Sequence, residues 1–564
     1  MNLVATGQQN VILNGNPSKT FWKAAYKKYT NFGKQNFRLD FDGTPSLSLT
    51  TESTFNFKVK RYADLLMDCY ISINLPTIWS PILPPQPIFD SSGAVTGYTD
   101  WAPYEFQWIK DIGAQIISRI TINCGNQKLQ EYSGQYLLAS AQRDFSGRKL
   151  DLFNEMIGNV PELNDPANAG SRVNAYPNAF FQGTGVTAPN VTPNPAGAQP
   201  SINGRNLLIP LGAWFNLVST QAFPLVALQY NELQISVSFR PINEWFTIRD
   251  VMDYTNNFPV VAPNFNQFYM QFYRFLQTPP DETLGPVSYI DTRTNWNADI
   301  NLNCTYCFLS NDESEIFAKN EQKYIFKQVY EKPYYNVTGA NKINLDSIGM
   351  VISWMFYFQR SDANLRNQWS NYTNWPYEYM PQDITPASTA GDYPIPPSPV
   401  TIGPGLNPDG TLSGLYTTGV YNPQNIKNIL IALGILLDGQ YRENILPVGV
   451  YNYIEKYVRT AGFAPPGLYC YNFCLDTNPF TIQPSGAMNM SRFTNIQFEF
   501  TTNIPPVDPY AQSLTICDPT TGDIVGINKP TWRIYDYNYN MYLMEERVNM
   551  VVFIGGNAAL MYAT

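Results

Sequence analysis

Seven cysteines and no histidine bound the chemistry open to this chain. Cys304 and Cys307 form a CxxC pair, and Cys470 and Cys474 a CxxxC pair. Four thiolates at such spacings are a ligand set for zinc. The surrounding NLNCTYCFLS, however, reads as a strand, where residues three apart point to opposite faces, so buried free cysteine is the expectation. Without histidine there is no Ser-His-Asp or Cys-His arrangement, no His-ligated metal and no histidine pH switch. Ser485, in the turn-like Gln483-Pro484-Ser485-Gly486, lacks a base of the usual kind. Asp312, Glu313 and Glu315 cluster on one short predicted helix and read as its solvated first turn. No catalytic residue, cofactor or metal is expected.

One further stretch has unusual chemistry. NGNPSKTFWKAAYKKYTNF, residues 14–32, sets Phe21, Trp22, Tyr26, Tyr29 and Phe32 beside Lys19, Lys23, Lys27 and Lys28. Stacking on nucleic acid, contact with an anionic membrane surface and contact between subunits all use this combination. A net charge of −9 weighs against bulk nucleic-acid binding, which needs a basic face to displace counterions.

The elements that must carry these residues are mostly strands. YISINL (70–75), RITINC (119–124), LQISVSFR (233–240) and NIQFEF (495–500) alternate apolar and polar residues with period two, the mark of half-buried antiparallel strands. Helix candidates are short: 129–143 and 312–323. Aromatics at 15%, with 44 Pro and 36 Gly, fit β structure with long turn-rich connections, clearest at 76–103, 160–206, 376–424 and 503–531. PIPPSPVTIGPGLNPDG (394–410) suits neither helix nor central strand. Charged residues at 14% suit a protein that covers much of its surface with copies of itself. The N-terminus MNLVATGQQN lacks a signal-peptide pattern, and the longest apolar run, Ile429 to Leu437, is about half a membrane span. Neither secretion by the usual route nor membrane integration is expected. With 564 residues and QTPPDETLGP (277–286) as a linker, two β sandwiches in tandem are the simplest reading.

Several segments, in order, resemble the major capsid proteins of the nucleocytoplasmic large DNA viruses. They are NGNPSKTFWKAAYKKYTNF, ISRITINCGNQKLQEYSGQYLL, LLIPLGAWFNLVSTQAFPLVALQYNELQISVSF, EIFAKNEQKYIFKQV, PPGLYCYNFCLDTNPFTIQPSGAMNMSRF and VVFIGGNAALMYAT. Where that family often has histidine, this chain has Tyr29 and Asn231, which leaves only structural roles at those positions. The resemblance implies an all-β fold of two tandem eight-stranded jelly rolls with long loop insertions and a few short helices. The expected divisions are an arm (1–19), a first jelly roll (20–245), a connecting region (246–286) and a second jelly roll (287–564). It further implies a homotrimer mimicking a hexagon, tiling an icosahedral shell around a double-stranded DNA genome, assembled in the host cytoplasm. Partners would be neighbouring capsomers, minor capsid and penton proteins, with an inner membrane close by and no sequence-specific nucleic-acid contact. Phe21, Trp22, Lys23, Lys27 and Lys28 are the expected base or assembly contact, their rings seated in or beneath the first jelly roll. The alternatives are a virophage-like shell protein and, in another class, a carbohydrate-binding or hydrolytic pair of sandwiches with a carboxylate-bearing cleft.

Five Asn-x-Ser/Thr sequons occur, at Asn190, Asn303, Asn336, Asn371 and Asn489. Asn303 and Asn489 fall in strand-like sequence. Asn190 and Asn371 lie in or near long loops and are the candidate glycan acceptors. Arg492, between strand-like residues, is a candidate for a buried or interface ion pair.

Overall fold

The computed structural model describes residues 12, 15–83, 87–98, 102–172, 175–179, 199–253, 258–279, 289–375, 377–378, 403–406, 412–420, 427–505, 514–517, 520–521, 524–528 and 537–562. Among them, sixteen strands build two sandwiches. The first uses β1 (Gly33–Leu39), β2 (Ser53–Val59), β3 (Leu65–Leu75), β4 (Ile117–Cys124), β5 (Gln127–Tyr132), β6 (Arg205–Pro210), β7 (Leu233–Phe239) and β8 (Asn301–Phe308). The second uses β9 (Gln322–Tyr334), β10 (Ala340–Asn344), β11 (Met350–Arg360), β12 (Leu430–Leu437), β13 (Gln440–Pro447), β14 (Leu468–Asn472), β15 (Ile496–Thr502) and β16 (Tyr539–Ile554).

The sheets run β1-β8-β3-β6 and β5-β4-β7-β2 in the first sandwich, and β9-β16-β11-β14 and β10-β15-β12-β13 in the second, all antiparallel. In both, the first strand pairs with the eighth, the second with the seventh, the third with the sixth and the fourth with the fifth. This nested order is the jelly-roll scheme, executed twice.

Alternation in the sequence decides which residues go inside. Ile71, Ile73 and Leu75 of β3 and Leu233, Ile235, Val237 and Phe239 of β7 are buried in the first core. Ile496, Phe498 and Phe500 of β15 are buried in the second. Strand β11 departs from alternation and is buried along nearly its whole length. Its Trp354, Phe356 and Phe358 enter the second core, while Met355 and Tyr357 face the first sandwich. The sheet containing β11 and β16 is therefore an inner layer covered on both faces, and its strands must be apolar on both.

Pairing direction sorts the connections by end. β2 and β3 are joined by residues 60–64 and β4 and β5 by Gly125 and Asn126, links too short to cross the sandwich, so they share one end. The long insertions 76–116, 133–204, 240–300, 361–429 and 503–538 then all leave from the other. Two of those in the second sandwich contribute a small antiparallel sheet of Gly403–Leu406, Leu412–Val420, Leu514–Cys517 and Ile524–Asn528. Within the Pro-rich 394–410 stretch, Gly403–Leu406 is an edge strand, the position that tolerates proline.

Three expectations need correction. The domain boundary at residue 287 falls too early: β8 lies between β1 and β3, so residues 301–308 complete the first sandwich. A period-two pattern identifies a strand without naming its partner. The helix expected over 129–143 is split. Residues 127–132 pair with β4, and helix α1 (Gly134–Asp144) starts only where the Ser133 hydroxyl accepts from the Tyr136 N–H. The helix expected over 312–323 is α2 (Asn311–Lys319), cut short because Gln322 already opens β9.

Phe498 is fully buried against Trp354 and Phe356, with ring centroids 5.1 and 5.4 Å away. Phe498→Ala is expected to destabilise the second sandwich by about 3 kcal/mol. Phe463→Ala, at an exposed position, should leave the urea midpoint nearly unchanged. Equal midpoints for the two variants would contradict this core assignment.

Candidate assembly surfaces

Residues 15–32 form no helix or strand and pair with nothing before β1 begins at Gly33. Gly33 stands opposite Phe308 at the short-turn end, so the arm leaves there, alongside α2. Phe21, Trp22, Tyr26, Tyr29 and Phe32 are all exposed, Trp22 at 96%. Lys23, Lys27 and Lys28 are exposed with them, and the Lys19 ammonium lies 5.4 Å from the Phe21 ring centroid. Of the expectation that these rings seat in or beneath the first jelly roll, seating within it is thus corrected for the single chain, where they are exposed. Covering one such ring is worth about 2 kcal/mol. Five together approach on the order of 10 kcal/mol, comparable with the entropic cost of association.

A second apolar surface lies between β13 and β14. Residues 450–459 wind into a helical turn with Tyr451, Asn452 and Lys456 inward. Tyr453, Ile454, Tyr457 and Val458 face outward, followed by the exposed Phe463. The support is rigid. The Lys456 ammonium donates to Asn452 Oδ1 (3.0 Å) and to the carbonyls of Ala464 (3.3 Å) and Pro465 (3.0 Å), and burial pulls its pKa down to about 8. The Gly462 N–H donates to the Arg143 carbonyl at 2.8 Å. A methyl group on Gly462 would stand 2.5 Å from the Gln142 carbonyl oxygen, so the approach requires glycine.

The two sandwiches meet along a seam filled by α1 and by residues 211–230. At its centre Arg143 of α1 is fully buried. Its guanidinium donates to both Asp144 carboxylate oxygens (2.9 and 2.7 Å), to both oxygens of Glu546 on β16 (2.9 and 3.1 Å), and to Ser353 Oγ on β11 (3.0 Å). Glu546 also accepts from Tyr136 (2.8 Å) and Ser353 (2.7 Å), with the Lys327 ammonium 3.7 Å away. Burial alone would raise the Glu546 pKa, but the Arg143 and Lys327 charges outweigh it and hold it well below the usual carboxylate range. Its neighbour Glu545 accepts from Trp354 Nε1 at 2.6 Å and from Ser347 and Arg547. Glu331 of β9 takes the opposite shift. Burial raises its pKa although the Ser133 N–H and hydroxyl both donate to it, at 2.8 and 2.7 Å. Asp111, bonded by Ser370 across the seam at 2.8 Å, is likewise raised by burial. Sequence reasoning passed over Glu545, Glu546 and Arg547. The available signal was three consecutive charges inside the apolar strand YLMEERVNMVVFI.

The other sequence candidates fall as follows. Cys304 belongs to the first core, 3.3 Å from Cys69, while Cys307 sits in a separate apolar cluster, as opposite faces require. Ser485 Oγ donates to the Asp476 carbonyl in a loop. Arg492 is exposed, not buried in an ion pair. Asn371 is corrected as a glycan acceptor. It is 5% exposed, its amide donates to the Trp375 carbonyl, and its Oδ1 accepts from Thr373. Asn190 lies outside the described residues. Among the described residues, the exposed sequons are Asn336, in the β9–β10 turn with φ +55°, and Asn489, whose Oδ1 accepts from the Ser491 N–H. Among the described residues, no group of three or more acidic or cysteine side chains could hold a metal ion, and no helix is long and apolar enough to cross a membrane.

Residues 20–273 match the sequence family described as major capsid protein N-terminus, and residues 313–545 match large eukaryotic DNA virus major capsid protein. The chain is 24% identical over 590 residues to the major capsid protein of Phaeocystis pouchetii virus, covering 96% of each. It is 26% identical over 363 residues to that of Chrysochromulina ericina virus, covering 61% of this chain and 54% of the relative. The fold is similar to the subunit in a quasi-atomic model of the PBCV-1 virus capsid (TM-score 0.56, 17% identity, 97% of this chain and 100% of that one). It is also similar to the Faustovirus major capsid protein (TM-score 0.55, 11% identity, 94% and 92%).

The seam predicts an uncommon response to pH. A carboxyl raised in the folded state, as in Glu331 and Asp111, favours folding more as pH falls toward its unfolded value. Glu546, held low, loses its contribution only below its ordinary value of 4.5. The thermal midpoint should therefore hold or rise from about pH 7 to 5 and drop below about pH 4. Glu331→Gln should flatten the rise. Arg143→Met, which leaves two carboxylates buried beside an apolar chain, should cost about 3–5 kcal/mol. A steady loss of stability from neutral pH to pH 5 would contradict these assignments.

Proposed function

The chain belongs to the family of large eukaryotic DNA virus major capsid proteins, and on that basis we propose how it assembles. As a major capsid protein it is a structural subunit of a virion shell. In our reading three copies close around a threefold axis into a capsomer with six sandwich columns, and these pseudo-hexagonal units tile an icosahedral shell. The carrying observation is that one chain repeats a single pairing scheme twice and fuses the two products at a buried, charge-locked seam. Two similar columns at a fixed spacing let a threefold arrangement approximate a sixfold one, and a closed ring satisfies one heterologous contact three times.

Polarity follows from the ends. The long insertions would face outward and the arm inward, toward minor capsid proteins, penton neighbours or an anionic inner membrane. Phe21 and Trp22 would be covered by a partner, with Lys23, Lys27 and Lys28 meeting acidic groups. The protein would carry no enzymatic activity and would assemble in the host cytoplasm.

Light scattering on the purified full-length chain should give three chain masses at micromolar concentration. A persistent monomer with a native circular-dichroism spectrum would overturn the trimer. Phe21→Ser with Trp22→Ser should leave the thermal midpoint of the dissociated chain, read at a concentration where it is monomeric, within about 1 °C, since neither ring touches the core. The same pair should impair association beyond the single chain, read by sedimentation velocity. Unchanged association would remove the arm from the contact.

A further inference from the structure

Each sandwich opens the connection from its fifth strand to its sixth with a helical segment. In the first, α1 begins at Gly134, just after β5 ends at Tyr132. In the second, residues 450–459 begin just after β13 ends at Pro447. The two segments differ in what covers them. α1 is seated on the inner sheet of the second sandwich, where Tyr136 and Arg143 both reach Glu546. Residues 450–459 carry an apolar face that stays open. Tyr453, Ile454, Tyr457 and Val458 recur at helical spacing on one side, Tyr457 is 90% exposed, and Phe463 extends the patch. The segment is already ordered. Asn472 of β14 donates to Glu455 from its backbone N–H (3.2 Å) and its side-chain amide (3.1 Å), so docking pays little to arrange it.

The repeat identifies a seat for this face. The counterpart of the sheet that holds α1 is β1-β8-β3-β6 of the first sandwich, built by the same nested pairing. Leu39, Ile71, Leu207 and Ile209 turn into the core, so their strand neighbours Arg38, Tyr70, Asn206 and Leu208 point outward. Arg38 stands opposite Asn303, which stands opposite Tyr70. Arg38, Asn206 and Leu208 are exposed. Tyrosine suits this mixed surface, because its ring can cover Leu208 while its hydroxyl meets an amide. The helical face and the sheet face are both exposed in one chain, so they do not meet within it. Area supports a contact between copies. At roughly 150–250 Å² for a buried aromatic ring, the patch offers on the order of 600 Å², most of the ~800 Å² each partner gives to a standard interface.

We propose that the open face of residues 450–459 docks on the β1-β8-β3-β6 sheet of a second copy, repeating between copies the contact that α1 makes within one. This contact rests on the trimer reading and adds the two surfaces that close the ring. They are different surfaces, as a heterologous contact requires.

Sedimentation velocity on the full-length protein tests it, with circular dichroism to check folding. Tyr457→Glu with Val458→Glu should keep the native spectrum and weaken self-association about tenfold or more. Leu208→Glu, on the opposite surface, should do the same. A native chain that stays monomeric overturns the trimer reading and this contact with it. A native chain that trimerises while either variant assembles equally well overturns this contact alone. Should a variant fail to fold, Tyr457→Cys carrying a benzophenone maleimide decides. Photocrosslinks in the dimer-mass band to residues 33–39, 65–75, 205–210 or 301–308 support the contact, and crosslinks only elsewhere, or none, overturn it.

Discussion

The structure turns on a buried guanidinium. Arg143 and Glu546 lie about 400 residues apart in sequence and meet where water is excluded, each 0–1% exposed at the side chain. Taking both charges out of water is expensive, and their attraction repays it only when every remaining donor and acceptor is satisfied. Here Asp144, Ser353, Tyr136 and Lys327 complete the set. The apolar seam around them would tolerate sliding by a residue or two, because hydrophobic contact is non-directional. Directional hydrogen bonds from one guanidinium nitrogen to both Glu546 oxygens do not tolerate it. The seam therefore sets the spacing of the two columns, the dimension on which any regular lattice of them rests.

The inner sheet shows the same division of labour. Its strands are apolar on both faces because each face meets a layer, so they are long, continuous and stiff. In β11 and β16 the buried charges are paired: Glu545 with Arg547, Glu546 with Arg143 and Arg360 with Asp362. The outer sheet of the second sandwich keeps a solvent face, as the exposed pattern of β13 shows.

Much of this was legible in the sequence. Alternation in β3, β4, β7 and β15 marked real strands and the faces they bury, because one-sided burial forces period two. Turn residues marked the long insertions. The membership of β8 was hidden, since NLNCTYCF says nothing about the distant GKQNFRL it pairs with. The Pro-rich 277–286 stretch looked like a boundary and is an insertion within one sandwich. Phe21 and Trp22 were legible as a base or assembly contact, but not whether their rings sit in the first jelly roll or outside it, because composition cannot tell a core from a contact awaiting a partner. The burial of Asn371 was equally invisible, because an Asn-x-Thr triplet is also an Asx turn.

The nested pairing has a price in time. β1 cannot close its sheet edge until β8 exists, and β9 waits for the last long strand, β16. During synthesis at ~5–20 residues per second, each opening strand stays uncapped for on the order of tens of seconds. Growing chains crowded on a polysome would carry identical unsatisfied edges, and edge strands seek each other. High-yield production of such a subunit thus calls for an escort that shields nascent ribbons until their last member leaves the ribosome.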